Sequence, residues 1–282
     1  MRFLDGFSPL MADYDGYIVD LWGVIHDGLT PFPGAKDTLA ALRDAGRRVV
    51  LLSNAPRPSH SAQSALRGMG LADDLYTGIM TSGEATRLAL SNPPDDWFAG
   101  LGRRVLHIGP ERDRVTLEGL DLERVDLPEA ADFMLNTGPD EMLSINLADY
   151  EAVLRAGVKA GLKMVCANPD LEIVRGGERV PCAGALALRY EELGGNVRSF
   201  GKPDAAIYRP VLAMLGVEKS RVLAVGDALR TDIAGAKAAG VDSCWVLGGI
   251  HAEELGSDQA LIRKAAQAAG LAPTACIPAF NL

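Results

Sequence analysis

Three short apolar runs, each closed by polar residues, set the terms on which this chain can fold. Tyr17-Ile18-Val19-Asp20-Leu21 is broken by one acid. Arg48-Val49-Val50-Leu51-Leu52 runs into Ser53-Asn54, and Arg221-Val222-Leu223-Ala224-Val225 runs into Gly226-Asp227. Runs this short and this apolar read as strands covered on both faces, the mark of a parallel sheet. Helical patterns lie between them. Ala35, Leu39 and Leu42 recur before Gly46, Val211, Leu212 and Leu215 before Gly216, and Ile233, Ala234 and Ala238 after Thr231 and before Gly240. Strand–helix alternation with glycine at the helix ends predicts an α/β fold: a Rossmann-like, doubly wound parallel sheet with right-handed crossovers.

A second block from about Met80 to Cys182 carries its own alternation. Arg104-Val105-Leu106-His107-Ile108, Asp132-Phe133-Met134-Leu135 and Lys163-Met164-Val165-Cys166 read as strands, and Leu147 to Ala160 as a helix. A smaller second α/β domain is therefore expected, and 282 residues are enough for two.

Charge and cysteine content narrow the function classes. Asp+Glu outnumber Lys+Arg 37 to 28, a net charge of −9, which argues against nucleic acid or an anionic membrane as partner. No stretch approaches the ~20 apolar residues of a membrane span. The opening MRFLDGFSPLMADYDG has acids at Asp5, Asp13 and Asp15 and does not read as a secretory signal. Cys166, Cys182, Cys244 and Cys276 form no CxxC pair, so reduced thiols and a cytoplasmic location are expected. No spacing resembles a zinc site, and Gly248-Gly249 does not make a dinucleotide fingerprint.

Ligands of an open parallel sheet bind beyond the carboxyl ends of its strands. Those ends here offer Asp20, Ser53-Asn54 and Asp227, with Asp232 one helical turn on and Lys202 in Gly201-Lys202-Pro203. Carboxylates supply the hard oxygens that a magnesium ion takes. A lysine and a hydroxyl suit phosphate oxygens, and an aspartate beside them can attack phosphorus.

These residues resemble the haloacid dehalogenase superfamily of aspartate-nucleophile phosphatases. Asp20-Leu21-Trp22-Gly23-Val24 is similar to its first motif and Leu52-Ser53-Asn54 to its second. Lys202 in Phe200-Gly201-Lys202-Pro203 corresponds to the third, and Gly226-Asp227-Ala228-Leu229-Arg230-Thr231-Asp232 to the fourth. The insert carrying Thr81-Ser82-Gly83, Asn136-Thr137-Gly138 and Cys166-Ala167-Asn168-Pro169-Asp170 resembles a class IIA cap, a group that includes sugar-phosphate, nitrophenyl-phosphate, phosphoglycolate and pyridoxal-phosphate phosphatases. The resemblance implies a core over residues 1–80 and 184–282, a core strand order 5-4-1-2-3, and a cap over 81–183. It implies Asp20 as nucleophile, and Ser53, Asn54 and Lys202 around the phosphoryl group. Magnesium would sit on Asp20, Asp227, Asp232 and the Trp22 backbone carbonyl. Asn168 and Asp170 would lie in a substrate-selecting cap loop. A small phosphorylated metabolite is the implied substrate, and a cap-to-cap homodimer is compatible with it.

One position departs from the pattern. The family's second aspartate, two residues after the nucleophile, protonates the leaving oxygen. Trp22 stands there, and indole is a donor only, neither acid nor base near neutral pH. Three readings stay open: selectivity for good leaving groups, a substitute acid such as His26 or Asp27, or a phospho-ligand-binding protein with little turnover. Trp22 itself reads as filling the missing acid's space or as stacking on substrate. Arg175 and Arg179, beside Gly176-Gly177, read as hairpin-flank charges or as a site for a second anionic group. Metal-free dehalogenase chemistry is disfavoured, because Asp227 and Asp232 beside Asp20 would repel without a cation.

Overall fold

The computed structural model describes residues 1–175 and 178–282; Gly176 and Gly177, expected at the turn, lie outside the described residues. Seven strands form the larger sheet: β1 (Arg2–Phe3), β2 (Gly16–Val19), β3 (Arg48–Ser53), β4 (Gly78–Thr81), β12 (Val222–Gly226), β13 (Asp242–Val246) and β14 (Ala275–Ile277). Their order is β1-β14-β13-β12-β2-β3-β4, with every neighbouring pair parallel. The expected order is contained in this arrangement and extended at one edge by β14 and β1.

Alternate residues of each strand feed opposite layers, as the period of two requires. Tyr17, Val19, Val49, Leu51, Leu223 and Val225 pack against Leu39 and Leu42 of the helix Ala35–Asp44. Ile18, Val50, Leu52, Val222 and Ala224 pack against Ile207, Val211 and Leu215 of the helix Ala205–Leu215 and against Ala236. The central strands β2, β3 and β12 are apolar over most of their length because neither face meets water. Gly216 and Gly240 end their helices in the left-handed conformation.

A second parallel sheet has the order β11-β8-β7-β5-β6, from β5 (Arg104–Ile108), β6 (Glu123–Val125), β7 (Phe133–Asn136), β8 (Lys163–Cys166) and β11 (Asn196–Ser199). Leu154 and Tyr190 cover one face with Met134 and Met164, and Phe98 covers the other with Phe133 and Val165. The return to the core comes later than the expected residue 184. The helix Ala183–Glu192 buries Leu186 and Tyr190 against the second sheet, and β11 pairs with β8. Polar residues in Asn196-Val197-Arg198-Ser199 hid an edge strand from a search for apolar runs. An antiparallel hairpin of β9 (Glu172–Arg175) and β10 (Glu178–Pro181) completes the cap. Among the described residues, no helix is long and apolar enough to cross a membrane.

Candidate active site

The order of the larger sheet reverses at β2, whose neighbours are β3 and β12. Side chains leaving the carboxyl ends of β2 and β12 must meet in the crevice there. Asp20 follows β2, and its N–H donates to the Val225 carbonyl of β12 at 2.9 Å. Asp227 follows β12. Asp232 lies one turn on, in the π-helical turn Leu229–Ile233, where its Oδ2 accepts from Ala228 N–H at 3.1 Å. One carboxylate oxygen from each of the three lies within 4.8 Å of the others, and all three residues are buried.

Lys202 joins the cluster from the loop after β11. Its ammonium donates to Asp20 Oδ1 at 2.6 Å, Asp232 Oδ1 at 2.7 Å and the Leu52 carbonyl at 3.2 Å. Burial opposes the lysine's charge, but Asp20 and Asp232 outweigh it and hold its pKa well above the usual value. Three carboxylates against one ammonium leave an excess of buried negative charge. Burial, then the neighbouring acids, push Asp20 up. Asp227 rises to about 7 for the same reasons, against the N–H of Ile250 that donates to its Oδ2 at 2.7 Å. Such crowding is costly unless a cation compensates it. Buried hard oxygens converging on one point suit a divalent ion such as magnesium.

The backbone is shaped around Asp227. A Cβ on Gly23, whose φ is +81°, would fall 2.1 Å from Asp227 Oδ2, and one on Gly249 would fall 2.0 Å from it. The Trp22–Gly23 segment is thereby pressed against the acid cluster, on the side expected to offer the Trp22 carbonyl.

The remaining expected residues divide into those facing open space and those bracing the site. A cavity of about 1100 Å³ between the sheets is lined by Asp20, Trp22, Ser53, Asn54, Asn168, Asp170, Lys202, Asp227 and Asp232, among others. Ser53 Oγ accepts from Ala55 N–H at 3.2 Å. The Asn54 amide is fully committed. Its Nδ2 donates to Asp170 Oδ1 at 2.8 Å and to the Lys202 carbonyl, and its Oδ1 accepts from Lys202 N–H and Ser82 Oγ. Asn168 closes an Asx turn on Asp170 N–H at 2.9 Å. Asn54 and Asp170 thus tie the core loop to the cap loop.

Trp22 is partly buried and lines the cavity. Its indole N–H donates to the Val174 carbonyl of β9 at 2.8 Å, so the ring fastens the first-motif loop to the cap hairpin. Gly28 (φ +93°) makes room for it, since a Cβ there would meet the indole at 2.1 Å. The two expected substitute acids are committed elsewhere. His26 is buried edge-on to Trp22, its Nδ1 accepts from Gly28 N–H, and burial pushes it down to about 4. Asp27 accepts from Thr30 and Leu29 N–H, which hold it below the usual carboxylate range as an acceptor only. Sequence reasoning missed Ser82, the Trp22–Val174 bond and the Asn54–Asp170 bond. The signal for the last was present in the Asn-Pro-Asp turn; nothing in sequence marks a backbone carbonyl as a partner.

Family comparison decides the lineage. A haloacid dehalogenase-like hydrolase model matches residues 17–123, and a second model of HAD-hydrolase-like proteins matches 199–276. The structure of a haloacid dehalogenase-like family hydrolase from Brucella suis 1330 is 34% identical, with a TM-score of 0.83, over 98% of this chain and 99% of that one. The chain belongs to the haloacid dehalogenase-like hydrolases. Within that family it is similar to an acid sugar phosphatase of Staphylococcus aureus, 27% identical over 86% of this chain and 90% of the relative. It is also similar to a glycerol phosphate phosphatase from Mycobacterium tuberculosis solved in complex with magnesium. That protein is 26% identical, with a TM-score of 0.66, over 85% of this chain and 70% of that one. The cap of this haloacid dehalogenase-like chain is of the class IIA kind.

Proposed function

We propose that the chain is a magnesium-dependent phosphatase of class IIA that hydrolyses a small phosphorylated metabolite through an aspartyl-phosphate on Asp20. One observation carries this reading: Asp20, Asp227 and Asp232 converge around Lys202 at the wall of a cavity large enough for a small phosphomonoester. The magnesium-bound relative and the sugar phosphatase relative support the metal and the substrate class.

Asp20, Asp227 and Asp232 would hold the metal, with the Trp22 carbonyl as a further oxygen. The bound ion would supply charge neutralisation at the phosphoryl oxygens. Lys202 keeps its proton and holds Asp20 in place through the 2.6 Å bond, with Asp20 Oδ2 left to attack phosphorus. The Asp20–phosphorus bond forms as the bond to the leaving oxygen breaks; water then releases phosphate and regenerates the carboxylate. Ser53 contributes a hydroxyl beside the transferred group. The cap, pinned by Trp22 and Asn54, excludes bulk water, which strengthens each of these interactions. Catalysis is mainly positioning and charge neutralisation.

Trp22 favours substrates whose leaving group needs little protonation. It equally suits a phospho-ligand-binding protein of low turnover, and one experiment separates the two. Phosphomonoesters spanning leaving-group pKa are assayed with magnesium, beside an Asp20→Asn control. Turnover that is steep in leaving-group pKa, stops with chelator and is absent in the control is expected. Tight binding without turnover supports the second reading. Activity undiminished in the control overturns the assignment of Asp20.

A further inference from the structure

Several arginines line the cavity, and most of them pair with glutamates. Arg112 grips Glu141 with two hydrogen bonds, Arg175 donates to the same Glu141, and Arg179 pairs with Glu172 and Glu254. Arg57 differs. Among the described residues its guanidinium has one ion-pair partner, Asp113, reached through Nε at 3.5 Å, and its side chain is 40% exposed. Arg57 lines the cavity, and among the described residues its terminal nitrogens donate no hydrogen bond. Asp113 is almost fully buried in the same wall, where burial pushes its carboxyl up to about 6, so it holds its charge less firmly than a surface acid.

The base of this side chain is fixed. The Arg57 carbonyl accepts from Thr81 Oγ1 at 2.7 Å, and the Pro56 carbonyl accepts from Thr116 Oγ1 of the cap at 2.8 Å. A Cβ on Gly83 would fall 2.2 Å from Pro56 O, so this loop and the helix Ser82–Ser91 are in close contact. Arg57 is four residues beyond Ser53, a stretch that spans at most about 14 Å. Ser53, Lys202 and Arg57 line the same cavity.

The geometry points to Arg57 as the residue that selects substrates carrying a second oxyanion, a carboxylate, on the arm remote from the phosphoryl group; this rests on the phosphatase reading above. With Nε the nitrogen nearest Asp113, the terminal N–H pair remains, the pattern that matches a planar carboxylate in bidentate fashion. Glu141, another acid lining the cavity, is neutralised by Arg112 and Arg175 and repels an incoming anion little. Arg175 and Arg179, which read as hairpin-flank charges or as such a site, pair with Glu141 and with Glu172 and Glu254 respectively.

The test compares 3-phosphoglycerate with glycerol 3-phosphate, which share a skeleton and differ in carboxylate against hydroxymethyl. The ratio of kcat/KM for the two is measured in the native protein, Arg57→Ala and Arg57→Lys. The same ratio is taken from calorimetric Kd values, with magnesium, on a background of Asp20→Asn. The native protein is expected to prefer the carboxylate by about tenfold or more. Arg57→Ala should abolish the preference, and Arg57→Lys, which keeps the charge without the fork, should retain part of it. Equal affinity for the two ligands in the native protein overturns the proposal. So does a preference that survives Arg57→Ala. Hydrolysis of p-nitrophenyl phosphate that depends on Asp20 reports the phosphatase reading separately, and the calorimetric ratio judges Arg57 even if nothing is turned over.

Discussion

A single indole fastens the first-motif loop to the cap: Trp22 gives its N–H to the Val174 carbonyl. On the function proposed above, it stands where a proton donor would serve the leaving group. Replacing it with an acid should restore what is missing. Trp22→Asp is expected to raise kcat on alkyl phosphates by up to about 10²–10⁴-fold, the usual worth of general acid catalysis, and to change p-nitrophenyl phosphate hydrolysis far less. A gain of equal size on both substrates would show that leaving-group protonation is not what limits the native protein. Trp22→Phe keeps the ring and loses the bond to the hairpin, so KM should rise while the slope against leaving-group pKa stays as it was.

His107 offers a second residue-level check. It is largely buried, its Nε2 lies 2.8 Å from Thr137 Oγ1, and burial pushes it down to about 4 from an ordinary 6.5. The unfolded chain therefore takes up a proton as pH falls through 6.5, while the folded state stays neutral until about 4. Stability from this group is present above the unfolded value and is lost on acidification, by about 2 kcal/mol between pH 7 and pH 5. His107→Gln lacks that loss. Its stability gap to the native protein in urea should narrow by about 2 kcal/mol over the same interval. An unchanged gap would mean the imidazole is not held neutral.

At the scale of elements, the first-motif loop and the loop after β13 are shaped as a mould for Asp227. Gly23→Ala places a Cβ 2.1 Å from its Oδ2 at a φ of +81°, where side chains are disfavoured. The carboxylate must move, and magnesium affinity by calorimetry should fall by about tenfold or more. Affinity equal to the native value would show that the cluster tolerates the shift. The elements themselves were unevenly legible. β2, β3 and β12 announce themselves because burial on both faces demands uninterrupted apolar residues. Leu147 to Ala160 reads as one helix, and the chain makes it in two parts, a 3₁₀ turn over Leu147–Tyr150 and then the α-helix Glu151–Lys159. The edge strand β11 was not read, and the hairpin β9–β10 only through the Gly176-Gly177 pair between Arg175 and Arg179, since strands facing water on one side or pairing at an edge need no apolar run.

For the molecule as a whole, the acid cluster couples metal binding to stability. Magnesium at 100 times its Kd should stabilise the native protein by about 2.7 kcal/mol, read as a rise in Tm. Asp227→Asn removes one of the crowded charges. Without metal it should be more stable than the native protein by about 1–3 kcal/mol, and added magnesium should raise its Tm little. A native protein that gains nothing from the ion, or a metal-free variant that is less stable, would contradict the electrostatic account of the cluster. Cap and core are also held by side chains that cross the seam: Trp22 to Val174, Asn54 to Asp170, Thr116 to Pro56 and Arg179 to Glu254.

The sequence by itself determined the parallel sheets and the residues that meet at their tips. Strand burial and strand ends are local properties, written in runs of five residues and the polar residues that close them. Tertiary structure alone decided that Trp22 is a fastening, that the Asn54 amide is a brace, that Arg57 meets Asp113 while Arg175 and Arg179 meet glutamates, and that the cap runs on through β11. Each of these depends on a partner far away in the chain, often a backbone carbonyl that every residue carries alike, and identity at one position cannot say which distant group will arrive beside it.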